Sequence, residues 1–333
     1  MPRRSRHRQR SRHGRHGEPV TTRRTAGDWA LLLLLVVMWG TSFMVTRIAL
    51  DVVPPATVVT LRLAIGAAVL TAIARLLALP LPRQPRLWLH FTVLAIIGFA
   101  LPFLLITWGQ QRIDSGLAGV LMAVMPVATL LLAHFLVEDE RMTPRRAAGF
   151  AFGFVGIVVL TGPAALQRFG GGRSEIVSQV AVLAGALCYA VNTVIARFLP
   201  DDVDSLVTAA AVTAVATLTM VPVAWVLDGP TLAAAGGQGG LMAASPGALL
   251  AVAWLGLVST AAATLVYFRL IAHAGPTFLS LINYLIPLVA VAAGVLFLGE
   301  HPRWSALVAL AIILVGLALG EGRGRPEPTD AAQ

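Results

Sequence analysis

The sequence is poor in charge, in cysteine and in asparagine. Only 12% of its residues are charged, where a soluble domain carries roughly a quarter. Its one cysteine, Cys188, lies inside an apolar stretch, which excludes a disulfide framework and a cysteine metal cluster. No P-loop pattern occurs, which excludes a nucleotide-hydrolysing site of that type. The histidines outside the N-terminal tail, His90, His134, His273 and His301, fall in different segments, so they mark no clustered site of a membrane-embedded enzyme. Acids are missing from the middle of every apolar run; each Asp and Glu is expected in a tail, a loop or the last turns of a span.

What is present is apolar and continuous. Of 333 residues 57% are hydrophobic, and the mean hydropathy is +0.80. A helix needs about 20 apolar residues to cross the hydrocarbon core, and unbroken rather than alternating runs select helices over a barrel. Ten such segments are expected, at about 29–49, 55–79, 87–109, 115–137, 144–161, 177–199, 205–227, 247–271, 276–298 and 302–320. They predict an all-α membrane protein with ten transmembrane helices. The first run is too long for a signal-peptide core and lacks a small-residue cleavage site, so it reads as a span. The stretches LQRFGGGRSE and DGPTLAAAGGQGGLMAASP, rich in glycine, read as loops.

The net charge of +9 is concentrated at one end: residues 1–24 hold nine arginines and one acid, Glu18. The stretch RRSRHRQRSRHGRHG is low in complexity and is expected to be a disordered cytoplasmic element that contacts anionic lipid. No aromatic residue interleaves its arginines, which argues against nucleic acid as a partner. With an even number of spans both termini lie on one side, and the arginine tail makes that side cytoplasmic. Arg75, Arg83, Arg86, Arg141, Arg145, Arg146, Arg197, Arg269, Arg323 and Arg325 then fall inside, against Arg112, Arg168, Arg173 and Arg303 outside.

The chain repeats itself. MPVATLLLAHFLVEDERMTP, from Met125, has a counterpart in IPLVAVAAGVLFLGEHP, from Ile286, with Pro126 matching Pro287 and either Asp139 or Glu140 matching Glu300. Trp39, Gly40 and Arg47 align with Tyr189, Ala190 and Arg197 at a constant offset. The expected organisation is a tail (1–28), a first five-helix repeat (29–161), a loop (162–176), a second five-helix repeat (177–320) and a cytoplasmic tail (321–333). Five spans per repeat is an odd number, so the halves are expected to be inverted, an arrangement suited to alternating access.

These residues resemble the drug/metabolite transporter superfamily, specifically its EamA-type members with two tandem five-helix repeats. The matching features are WGTSF in the first span, Arg62 after PPATVVTLR, the prolines of the fourth and ninth spans, and the acidic EDERMTP and GEHP before the fifth and tenth. The resemblance covers about residues 29–320 and implies a carrier, commonly an exporter of amino acids or other metabolites, with a cavity between its halves. The second repeat departs from the first in having Cys188, Tyr189 and Ala190 where the first has Met38, Trp39 and Gly40. The resemblance does not name the cargo.

Paired helix interruptions in corresponding halves point to a transporter site, so Pro126 and Pro287 are expected near mid-membrane as breaks or gates, with bundle-shaping kinks as the alternative. Trp39, Ser42, Trp108, Met122, Met125, Asn192, Tyr267, Asn283 and Tyr284 are expected at that level as cavity wall. Asn192 and Asn283, the only asparagines, each need a partner across helices or on the cargo. Arg47 either snorkels to the interface or faces the outer vestibule. Arg62, about 10 Å of helical rise from its outer end, is costly against lipid and is read as structural anchor or cargo contact. Gly149, Gly153, Gly156, Gly316 and Gly320 have the spacing of close helix packing, within a monomer or between two. Glu140 and Glu300 read as structural acids at helix starts, and His134 as the one buried titratable group suited to proton coupling.

The expected function is a secondary transporter in the bacterial inner membrane, without catalytic residues, metal or cofactor, acting as monomer or homodimer on a small neutral, zwitterionic or anionic metabolite. A multidrug-type efflux carrier and a lipid-modifying enzyme are the alternatives. No buried acid is available to desolvate a lipophilic cation, which disfavours the first of these.

Overall fold

The computed structural model describes residues 25–136, 144, 147–149, 151–153, 155, 156, 159, 173–196, 203–236, 245–274, 276–279 and 281–320. The arginine tail, Asp139, Glu140, the loop 162–172 and eight of the eighteen residues of the expected fifth span lie outside these residues, as does the side chain of His134.

Among the described residues every regular element is helical. α1 (Ala26–Leu50) starts on a capping box, Thr25 accepting from the Asp28 backbone while the Asp28 carboxylate accepts from Thr25. α2 (Pro55–Leu76) and α3 (Pro85–Gly109) both start on proline, whose missing N–H would be unpaired at that position anyway. The expected fourth span is two helices, α4 (Ser115–Met122) and α5 (Met125–Leu136), broken at Ala123–Val124. α6 (Arg173–Ile195) and α7 (Ser205–Gly236) follow, then α8, which runs from Pro246–Gly256 through a π-turn at Leu257–Ala262 into Ala263–Ala274. The expected ninth span is again divided, into α9 (Pro276–Leu279) and α10 (Ile282–Leu298), and α11 (Trp304–Gly320) ends the bundle.

Six of these helices, α1, α2, α3, α6, α7 and α8, are long and apolar enough to cross a membrane. Large apolar side chains point outward, with Trp225 80% and Leu296 76% exposed, as suits a surface that meets acyl chains rather than water. The protein is an all-α, multi-pass membrane protein.

The two halves interlock. α1 packs on α8 and α10, α6 packs on α3, α4 and α5, and α2 packs along α7, so the first helix of each half lies on the third and fourth spans of the other. Contact of this kind needs small residues at the crossings. The glycines of the expected fifth span meet α11 within the chain: a Cβ on Gly316 would lie 2.8 Å from the Gly149 carbonyl and 2.7 Å from the Phe152 Cβ.

Two features differ from the sequence reading. α7 continues past 227 through Asp228, Gly229 and Pro230 to Gly236, so the start of the expected loop is helix and Asp228 lies inside it, 6% exposed. Gly-Pro usually marks a turn, but Pro230 removes only one helical hydrogen bond, and the Asp228 carboxylate is anchored on α2. The second feature is the pair of π-turns. α3 contains one at Ile96–Ala100, at the same distance from its helix start as the one in α8.

Candidate functional site

The π-turns lie against Trp39 and Arg62 in the second half and against Asn192 in the first. In the second half, the Thr260 hydroxyl donates to the carbonyl five residues back, Leu255, at 2.9 Å, a bond the wider turn makes available. Its oxygen in turn accepts from Arg62 Nε at 2.9 Å. On the neighbouring residue, the Ser259 carbonyl accepts from the Trp39 indole at 3.2 Å and the Ser259 hydroxyl donates to the Met38 carbonyl at 3.0 Å. α1 and α2 are thus fastened to consecutive residues of one π-turn.

Arg62 is half-buried, with its guanidinium 4.0 Å from the centre of the Phe103 ring. Phe103 meets Phe99 at 5.8 Å and Tyr189 at 6.3 Å between ring centres, both edge-on. Among the described residues no carboxylate pairs with Arg62. A guanidinium fixed at Nε, stacked on one face and without a counter-ion, leaves donors for a bidentate acceptor such as a carboxylate.

In the first half, the π-turn of α3 faces α6. Gly98 lies against the Asn192 amide so closely that a Cβ there would overlap it, and Asn192 Oδ1 is buried without a hydrogen-bond partner. Corresponding turns in the two halves are therefore furnished differently: one is tied by hydroxyls and an indole, the other is aromatic with an unsatisfied amide.

The remaining candidates fall in several places. Tyr267 packs on Trp39 at 5.7 Å and belongs with the central group. Ser42 is buried and donates to the Trp39 carbonyl of its own helix at 2.6 Å. Met122 and Met125 flank the break between α4 and α5, Pro126 sits in the first turn of α5, and Pro287 is buried inside α10. Asn283 is half-buried in the first turn of α10; Tyr284 is helical, and its side chain lies outside the described residues. Trp108 is elsewhere, under Arg112 at 5.4 Å in a cleft of about 390 Å³ shared with Arg173, Ser174 and Val177. Arg47 reaches the Gln110 and Gln111 carbonyls at 2.9 and 3.3 Å, while Gln110 Nε2 donates to the Phe43 carbonyl at 2.9 Å, so its charge closes the C-terminus of α3.

A groove of about 750 Å³ runs between α2 and α7 beside Thr57, Thr60, Val221 and Trp225. Its walls are apolar and outward-facing, and it lies apart from the polar cluster. Ser259, Thr260, Phe99, Phe103 and Gly98 were not singled out in the sequence. The adjacent hydroxyls of LVSTAA, in the middle of an apolar run, were the available signal.

The model of the EamA-like transporter family matches the chain twice, over residues 28–162 and 177–320. Protein PagO of Salmonella typhimurium is 26% identical, over 87% of this chain and 91% of that protein. A probable terminal-alkyne amino-acid exporter of Streptantibioticus cattleyicolor is 27% identical over 87% of this chain and 92% of its own. The uncharacterized transporter YvbV of Bacillus subtilis is 24% identical, with 90% and 93% covered. A solved crystal structure superposes with a TM-score of 0.60 over 89% of this chain and 96% of its own, at 22% identity, which speaks for the fold alone.

Proposed function

From the premise that this chain belongs to the EamA-like transporter family, within the drug/metabolite transporter superfamily, we propose that it exports small neutral, zwitterionic or anionic metabolites, amino acids among them, by alternating access. Members of this family are transporters, and the chain is a transporter rather than an enzyme. On this reading it sits in the bacterial inner membrane with both termini cytoplasmic, and the arginine tail lies on anionic lipid.

One observation carries the cargo reading: Arg62 is deep in α2, oriented by Thr260 and Phe103, and meets no carboxylate among the described residues. An unpaired guanidinium away from water is expensive, and an anionic group on the cargo offsets that cost while a cation is repelled. The aromatic surface of Phe99, Phe103 and Tyr189 suits an apolar body attached to that anion. The name of the Streptantibioticus relative supports an amino-acid exporter.

The test is growth of a sensitive bacterium expressing the protein, challenged with toxic amino-acid analogues and, separately, with ethidium-like cations. Protection against the analogues that is lost in Arg62→Leu is the expected result. Protection against the cations alone would overturn the reading in favour of multidrug efflux.

A further inference from the structure

Two carboxylates of the second half end on helix N-termini of the first half. Asp228 Oδ2, in α7, accepts from the Thr57 backbone N–H at 2.6 Å and from its hydroxyl at 2.8 Å. Glu300, just past α10, accepts from the Ser115 N–H at 2.8 Å through Oε1 and from the Gly116 N–H at 3.0 Å through Oε2. Both recipients are first turns, of α2 and of α4, where free N–H groups and the helix dipole favour a negative charge. The fit is built. Asp114, at the N-cap of α4, makes no side-chain cap, so Glu300 supplies what that helix lacks. Gly299 turns the chain back at φ 64°, the Glu300 N–H donates to the Gly294 carbonyl at 3.0 Å, and a Cβ on Gly294 would overlap the Glu300 carboxylate.

Connectivity puts both contacts at the same end of the bundle, because α1 leads directly into α2 there and α3 leads into α4. The short α4 precedes the break at Ala123–Val124, which leaves it able to tilt as a unit away from α10.

We propose that Asp228 and Glu300 are positioning residues that hold this end of the pathway shut, and that both contacts must break for the end to open. The inference rests on the alternating-access reading but not on any cargo. Neither carboxylate touches the Arg62 cluster; each acts on the relative position of the halves through a helix N-terminus.

The experiment uses the full chain in proteoliposomes, with Cys188→Ala and a reporter, Val291→Cys, under the Glu300 contact. A Cβ on Gly116 would lie 3.2 Å from the Val291 Cα, so the half-buried reporter is shielded on its α4 side while α4 is docked. A membrane-impermeant maleimide is applied from the side of this end. Labelling is expected to accelerate about tenfold or more in Asp228→Asn/Glu300→Gln, and by less in either single variant. Gly294→Ala is expected to behave like Glu300→Gln, and Thr57→Val, which removes only the hydroxyl bond, to give a small rise. Circular dichroism and elution volume should stay unchanged. Unchanged labelling in the double variant overturns the proposal. So does a rise that appears only in variants that lose helix content, for then the carboxylates hold the fold and not a gate. Because the readout needs no cargo, failure to find a substrate would count against the proposed function and leave this result standing.

Discussion

Arg62 Nε and Thr260 Oγ1 meet at 2.9 Å because two glycines let α2 and α8 approach closely. A Cβ on Gly66 would lie 2.7 Å from Thr260 Cγ2, and one on Gly256 would lie 3.1 Å from the Arg62 carbonyl. The position of Arg62 is thus set by backbone proximity, with the hydroxyl holding the guanidinium against the Phe103 ring.

If Arg62 receives the anionic group of the cargo, Arg62→Leu should lower counterflow by at least tenfold, since a charge-assisted hydrogen bond contributes roughly 1.5–3 kcal/mol. Arg62→Lys should recover little, because an ammonium neither stacks on Phe103 nor offers a planar fork. Thr260→Val keeps the shape and removes the acceptor, so a several-fold loss with intact folding is expected. Transport of the same anion at an unchanged rate in Arg62→Leu would dismiss Arg62 as a cargo contact.

The glycine contact should be intolerant of bulk. Gly66→Val has nowhere to place its side chain except against Thr260, and overpacking of this kind costs about 1–3 kcal/mol. Thermal unfolding in detergent should show a lower midpoint for Gly66→Val than for a substitution at Leu218, which is 72% exposed. Equal midpoints would mean that the helices separate without penalty.

Long apolar runs and turn prolines made most helix positions legible, since length and Pro-first starts are local properties: Pro55, Pro85 and Pro246 each open a helix. The internal match of Trp39 with Tyr189 placed two aromatics of the central region in corresponding helices. The π-turns were not legible, because one extra residue per turn leaves no mark on a uniformly apolar run. Thr260 is distinguished from Thr264 only by what lies opposite it. Asp228 was misplaced for a related reason: Gly229 and Pro230 signal a turn locally, and the hydrogen bonds to Thr57 that hold Asp228 in the helix come from a residue far away in sequence.

The paired prolines should respond differently to the same substitution. Pro126 is in the first turn of α5, directly after the break, where its missing N–H has no helical partner to lose; Pro126→Ala should change stability by less than about 1 kcal/mol. Pro287 is inside α10, and Pro287→Ala would supply an N–H to the Asn283 carbonyl. That variant should unfold at a higher temperature and transport more slowly if the weak point in α10 moves during the cycle. Normal transport in both variants would leave the prolines with a bundle-shaping role only.

A last expectation concerns pH. Asp114, exposed in the loop between α3 and α4 but partly screened from water at its carboxyl, has that carboxyl pushed above the ordinary range, first by this partial desolvation and next by the neighbouring Glu300 charge, with Arg47 pulling the other way. A carboxyl whose folded value exceeds its unfolded one binds protons more readily in the folded state, so its contribution to stability grows as pH falls through the folded value and is lost as pH rises. The ionised form is therefore a burden at neutral pH. Asp114→Asn removes that burden while keeping a side chain suited to a helix N-cap, and should raise the unfolding temperature at pH 7. The advantage should shrink as the pH is lowered through the raised folded value, below which Asp114 in the parent protein is itself protonated when folded. A stability difference that is constant with pH, or that widens on acidification, would show that the Asp114 charge is not what the substitution relieves.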